Sequence, residues 1–233
     1  MKKIMTRLLS LALICAFVPS FVLADTWDLE KGDITVNATD TSQTVTQVNG
    51  EAKVDASPVI TSNGTATDHT ITINAASGAK ANVTLENVNI DVSNEGKAAI
   101  TAQGSGNVNI ELNGTNTVVS GKAHAGVEKN NEGNLTIADK DNNGSLNATG
   151  GKFGAGIGGG NKGAGTDITI SGGEVSATGG EYGAGIGGGC SGAGTNITVS
   201  GGEVSTTGGE NGAGIGGGYG GAGTNITVSG GEV

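Results

Sequence analysis

The chain has 233 residues, 46 of them glycine, with 3% aromatics, two cysteines and a net charge of −10. That balance argues against binding nucleic acid, which rests on neutralising phosphates with cations, and two cysteines do not make a disulfide framework. An acidic, glycine-rich chain with few aromatics would be expected to be disordered, except that here Ile and Val recur at fixed places in a long period.

The N-terminus reads as an export signal over residues 1–24. Lys2, Lys3 and Arg7 supply the positive region, Leu8 to Val18 the apolar core, and Val22-Leu23-Ala24 the small-residue cleavage pattern. The apolar run is shorter than the ~20 residues of a spanning helix, so no membrane insertion of the mature chain is expected. Ile14 before Cys15 is too large for a lipobox. A mature chain starting at Asp25 carries nine lysines against twenty-two acids, a net charge of −13, and no arginine. Its predicted location is secreted or at the cell surface.

Residues 25–60 hold Trp27, the run Ile34-Thr35-Val36 and Pro58 without a clear long register, and read as an N-terminal cap with first irregular strands. Residues 61–150 read as irregular coils. In 151–233 the repeat is explicit: Gly-Ala-Gly-Ile-Gly-Gly-Gly occupies Gly154–Gly160, Gly183–Gly189 and Gly212–Gly218, 29 residues apart, and residues 183–204 and 212–233 agree at 20 of 22 positions. A unit this short cannot bury its own apolar side chains, so copies must stack.

Three apolar ladders set the expected register. One runs Ile100, Val127, Ile157, Ile186, Ile215; a second runs Ile110, Ile137, Ile170, Val199, Val228, its one long step spanning an insertion at Asp139–Gly144; a third runs Ile90, Val118, Leu146, Val175, Val204, Val233. Three short alternating runs per repeat predict three strands per coil of an all-β solenoid, as in Ile168-Thr169-Ile170-Ser171, where the period of two turns both isoleucines inward. Gly172-Gly173 and Gly179-Gly180 are read as corners that use positive φ. Val233 falls in mid-repeat, which predicts a chain that continues; a piece ending there offers unpaired strand groups and is expected to self-associate end to end.

Several residues stand out as candidate sites. Gly154-x-Gly156-x-x-Gly159 matches the letters of a dinucleotide fingerprint, but a short strand follows where that motif needs a helix, so these are read as corner glycines. Asp139, Asp141 and Asn143, then Gly144, match the front half of a calcium loop, with Gly150 where the bidentate glutamate belongs; the other reading is an insertion turn. Glu174, Glu203 and Glu232 form an outward acid ladder, read either as a solvated corner or, with calcium, as a metal row. Asp167, Asn196 and Asn225 read as a stacked Asx corner. Phe153, Tyr182 and Tyr219, with Glu181, are candidate carbohydrate contacts, since aromatic faces beside acids grip sugar rings. His69 and His124 lie too far apart in register to form a pair, and Cys190 reads as an incidental exposed thiol. Outward Thr169/Ser171, Thr198/Ser200 and Thr227/Ser229 make a flat hydroxyl array of the kind ice-binding solenoids use.

Residues from about 80 to 233, with Asn107-Val-Asn-Ile-Glu-Leu-Asn-Gly-Thr-Asn116, Ala125-Gly-Val127 and the Ala-Gly-Ile-Gly-Gly-Gly copies, resemble a group of exported bacterial, clostridial-type glycine-rich proteins labelled carbohydrate-binding and pectate-lyase-like in shape. The resemblance implies a right-handed parallel β-helix, an extracellular location, and calcium-assisted binding of acidic plant polysaccharide. It carries no binding-residue motif to this chain. The leading expectation is a non-catalytic β-helix that binds polysaccharide or a cell-surface glycan. The alternative is a structural or adhesive stalk. A polysaccharide lyase or hydrolase ranks lower: such lyases commonly use arginine or lysine and the mature chain has no arginine, and the acids repeat evenly where glycoside hydrolysis needs two carboxylates at a set separation.

Overall fold

The computed structural model describes residues 24–233; the export signal expected at 1–24 lies, but for Ala24, outside the described residues. The chain is a parallel β-solenoid of about seven turns. A single 3-10 turn, Leu29–Lys31, is the only helical element among the described residues.

Each coil contributes to three walls. The first wall stacks Thr26–Asp28, Val59–Thr61, Lys80–Glu86, the front of Asn107–Val119, Leu135–Ala138, Gly165–Ile170, Gly194–Val199 and Gly223–Val228. The second runs from Ile34–Ala38 through Ile71–Ala75, Ile100–Gly104 and Val127–Lys129 to the two-residue strands Ile157–Gly158, Ile186–Gly187 and Ile215–Gly216. The third stacks Asn89–Asp91, the rear of Asn107–Val119, Gly144–Thr149, Glu174–Thr178 and Glu203–Thr207. Successive coils pair in parallel at about 4.8 Å. The first two strands, within the segment read as a cap, already pair in parallel with later coils: Trp27 sits beside Ile60 and Ile34 beside Ile71. Within that segment the antiparallel part is the ribbon Gln43–Gln47 with Lys53–Val54, which lies along the edge of Ile34–Ala38.

Two of the three expected ladders form as read. Ile100, Val127, Ile157, Ile186 and Ile215 are in direct register, as are Ile110, Ile137, Ile170, Val199 and Val228. The Asp139–Gly144 insertion loops out without breaking the pairing of Ile137 with Ile170. Val228, with no coil above it among the described residues, is 53% exposed.

The third ladder is corrected. Val118 pairs with Ala148, not Leu146, and continues to Ala177; the residue under Leu146 is Asn116, fully buried, with Val88 below it. Asn116 is tolerated in an apolar row because its amide is satisfied. Its Nδ2 donates to the Ser145 and Asn113 carbonyls at 3.0 and 3.1 Å, and its Oδ1 accepts from the Val88 N–H at 3.0 Å. It ties three coils together where an apolar residue would only fill space.

The glycines divide by cause. Gly173 and Gly202 take the expected positive φ of 85°. Gly180 and Gly183 do not; a Cβ on Gly180 would overlap the Gly151 carbonyl oxygen, and one on Gly183 that of Gly154. At these corners the Cα faces along the solenoid axis, so the coil spacing itself demands glycine.

Candidate functional site

Two surface regions gather the chemistry. The first is a trough of about 490 Å³ between the insertion and the acid ladder, lined by Thr115, Asn142, Asn143, Ser145, Glu174 and Glu203 with Asp139 at its base. Glu174 and Glu203 are adjacent in parallel register, and Glu203 bridges Glu232. Asp139 is nearly buried and its carboxylate is committed: Oδ2 accepts from the Gly144 N–H at 2.8 Å and Oδ1 from the Asn143 N–H at 3.3 Å. The loop is therefore built as an insertion turn closed on Asp139, with Asn142 at φ 55°. Asp141 is exposed. Among the described residues no three His, Cys, Asp or Glu side chains converge as a metal site.

The second region is the corner carrying the aromatic residues. Phe153 and Tyr182 stack with centroids 5.5 Å apart and planes 14° from parallel, and Tyr219 meets Tyr182 edge-on at 5.7 Å. Tyr219 reaches them because its loop lies against the next corner, its N–H donating to the Tyr182 carbonyl at 2.9 Å; Cys190 donates likewise to the Phe153 carbonyl at 2.8 Å. Phe153 and Tyr182 each give one face to the other and are partly buried, while Tyr219 is half-exposed. Such a pair adds ~0.5–1.5 kcal/mol to its coil contact.

Beside this ladder runs a charged one, Lys122, Lys152, Glu181 and Glu210, fixed by backbone bonds from Phe153 to Lys122, Tyr182 to Lys152 and Asn211 to Glu181. Lys122 Nζ lies 5.7 Å from the Phe153 ring centre, and Lys152 Nζ lies 5.8 and 5.5 Å from those of Phe153 and Tyr182. Lys152 also pairs with Glu181 at 2.9 Å. A hydrogen bond with Tyr182 and then Lys152 hold the Glu181 carboxyl below the usual carboxylate range; the same carboxylate raises both the Tyr182 phenol and the Lys152 amine.

Under this corner lies a polar cluster that the ladders did not single out. Glu128 is buried and receives the Ala125 N–H at 3.1 Å and Asn130 Nδ2 at 2.8 Å, with His124 Nδ1 at 2.8 Å. Gly160 in the next coil leaves it room, since a Cβ there would come within 2.6 Å of its Oε2. Lys129 points inward in a row that is otherwise Val36, Ile73 and Ala102. Its Nζ donates to the Asn131 carbonyl at 2.7 Å, and burial lowers its pKa. The available signal was the mismatch in alignment: Glu128 and Lys129 stand where later coils have Gly158 and Gly159.

Gly154–Gly159 contains the short strand Ile157–Gly158 and leads into a turn, with no helix for a pyrophosphate. Asp167, Asn196 and Asn225 all take φ near +53° in a hydrogen-bonded ladder, at 54°, 54° and 52°, with links of 2.9 and 3.0 Å. His69 Nδ1 sits on the Leu29 carbonyl at 2.7 Å, away from His124. Thr136, Thr169, Thr198 and Thr227 align on the outer face of the first wall. Cys190 is a free, partly exposed thiol. No helix among the described residues is long and apolar enough to cross a membrane.

The Beta helix repeat family matches this chain over residues 142–161, 168–190 and 197–219. No curated protein and no solved structure matches it. The matched stretches fall on the coils whose register is described above, and both observations make this chain a parallel β-helix protein similar to that repeat family.

Proposed function

We propose that this chain is an exported, non-catalytic β-solenoid that binds polysaccharide. The observation that carries the reading is the open trough beside the insertion, whose side chains are amides, hydroxyls and carboxylates set between glycines. Such groups hydrogen-bond sugar hydroxyls, and the trough follows the stacking direction of the coils, so a linear chain can lie along it. Glu174 and Glu203 repel an acidic polysaccharide at this place. Binding of polygalacturonate there therefore requires calcium between the two, held jointly and not by the protein alone. The acids recur coil by coil instead of converging, and the sequence has no arginine beyond Arg7, which favours binding over cleavage.

Calorimetry against polygalacturonate with calcium and with a chelator tests this. The expectation is a calcium-dependent increment in binding that disappears in the double variant Glu174→Gln/Glu203→Gln. No increment, or one untouched by those substitutions, overturns the trough. Release of unsaturated or reducing ends on prolonged incubation overturns the non-catalytic part.

The alternative, a structural or adhesive stalk, is favoured by a specific observation: the most regular surface features satisfy themselves. The Asp167–Asn196–Asn225 amides bond to one another, and Phe153 and Tyr182 cover each other's faces. Absence of binding to any glycan would leave this reading in place.

A further inference from the structure

The mature chain is strongly acidic, yet its cations are not spread evenly. Lys122, His124, Lys152 and Lys162 come from loops that hydrogen-bond to one another around the base of the aromatic ladder: Phe153 N–H to the Lys122 carbonyl at 2.9 Å, Gly151 N–H to the His124 carbonyl at 2.9 Å, and Asn161 N–H to the Ala123 carbonyl at 2.7 Å. Lys122 and Lys162 form no ion pair among the described residues. Four acids stand near the group. Glu128 is buried under His124, Glu181 pairs with Lys152, Glu95 in the coil below pairs with Lys97 at 2.6 Å, and Glu210 stands at the far end of the row.

We propose that this corner binds the carboxylates of a uronate-containing polysaccharide directly, without a metal. The lysines of successive coils repeat along the axis at about 4.8 Å, close to the rise of one pyranose unit in an extended chain. Consecutive carboxylates can therefore meet Lys122 and, in exchange for its exposed Glu181 partner, Lys152, with Lys162 alongside. The edges of Phe153 and Tyr182 and the exposed Tyr219 border the same strip and offer apolar contact to the sugar rings. Glu181 and Glu210 end the strip and repel a chain that slides further, which sets its position. This rests on the polysaccharide reading above but not on the trough, which lies on a different part of the coil.

The test is binding of the purified chain to polygalacturonate in excess chelator, with dextran as a neutral probe and inorganic polyphosphate as a phosphate-bearing one. Expected is weak binding of polygalacturonate that fades as salt rises, no binding of dextran, and polyphosphate bound less well. Each exposed pair is worth 0.2–1 kcal/mol, so the triple variant Lys122→Gln/Lys152→Gln/Lys162→Gln should bind roughly tenfold more weakly. Lys80→Gln, on the exposed start of a first-wall strand, should bind like the parent. All three substituted lysines lie on surface loops, so unchanged far-UV circular dichroism should accompany the loss. Binding that appears only with calcium overturns the corner and leaves the trough standing. Polyphosphate bound as tightly as polygalacturonate overturns the assignment to uronates. No binding of any probe, with or without calcium, removes the polysaccharide reading as a whole.

Discussion

Asn116→Leu separates the structure from the pattern in the sequence. By pattern the change improves the third ladder, placing an apolar residue beneath Leu146, Val175 and Val204. By structure it removes an amide that bridges three coils from a site with no solvent access. The Val88 N–H loses its partner, a loss of ~1–3 kcal/mol for a buried donor, and the Ser145 and Asn113 carbonyls each lose a bond worth ~0.5–1.5 kcal/mol. The Asn113 carbonyl is the less affected, because it still accepts from the Asn87 N–H at 3.3 Å. Burying a leucine returns ~1.5–3 kcal/mol. The balance is a destabilisation of about 2 kcal/mol, and Asn116→Ala, which orphans the same groups without the added methyls, should be worse. Urea unfolding followed by far-UV circular dichroism measures it, with Trp27, the only tryptophan, reporting the first coil as a second probe. Coincident curves would license a two-state treatment; separated ones would show the coils unfolding in blocks. If Asn116→Leu is as stable as the parent or more so, the corner amide is not what holds these coils in register, and the reasoning fails.

Gly183→Ala should lose about 1–3 kcal/mol or more, because the new methyl meets a backbone carbonyl that cannot step aside. Gly96→Ala, with open space around it and ordinary φ, should stay within about 0.5 kcal/mol; equal losses at both sites would refute the axial-contact explanation. Lys129→Met should unfold at higher urea than the parent at pH 7. Burial puts the folded pKa of Lys129 below 10.5, so the unfolded chain binds more protons between those two values and parent stability rises with pH across that window. The advantage of the variant should accordingly shrink as pH climbs toward 10.5, and an advantage that grows instead would contradict the buried-charge account.

What the sequence alone determined was the solenoid and most of its register. Residues such as Ile157, Ile186 and Ile215 must stack because a 29-residue unit has no other way to hide them, and β-alternation then fixes which neighbours face in. The Asx corner was equally legible, since Asp and Asn tolerate the left-handed conformation found at 167, 196 and 225. Tertiary structure alone decided the polar exceptions. Asn116 and Lys129 occupy apolar rows because their polar atoms find partners in neighbouring loops, and a pattern search for apolar letters passes over such positions. It also decided that the aromatic residues turn their faces to each other, and that lysines scattered in sequence at 122, 152 and 162 arrive at one corner. Those facts depend on which loop lies against which in the next coil, and one-dimensional spacing does not encode that packing.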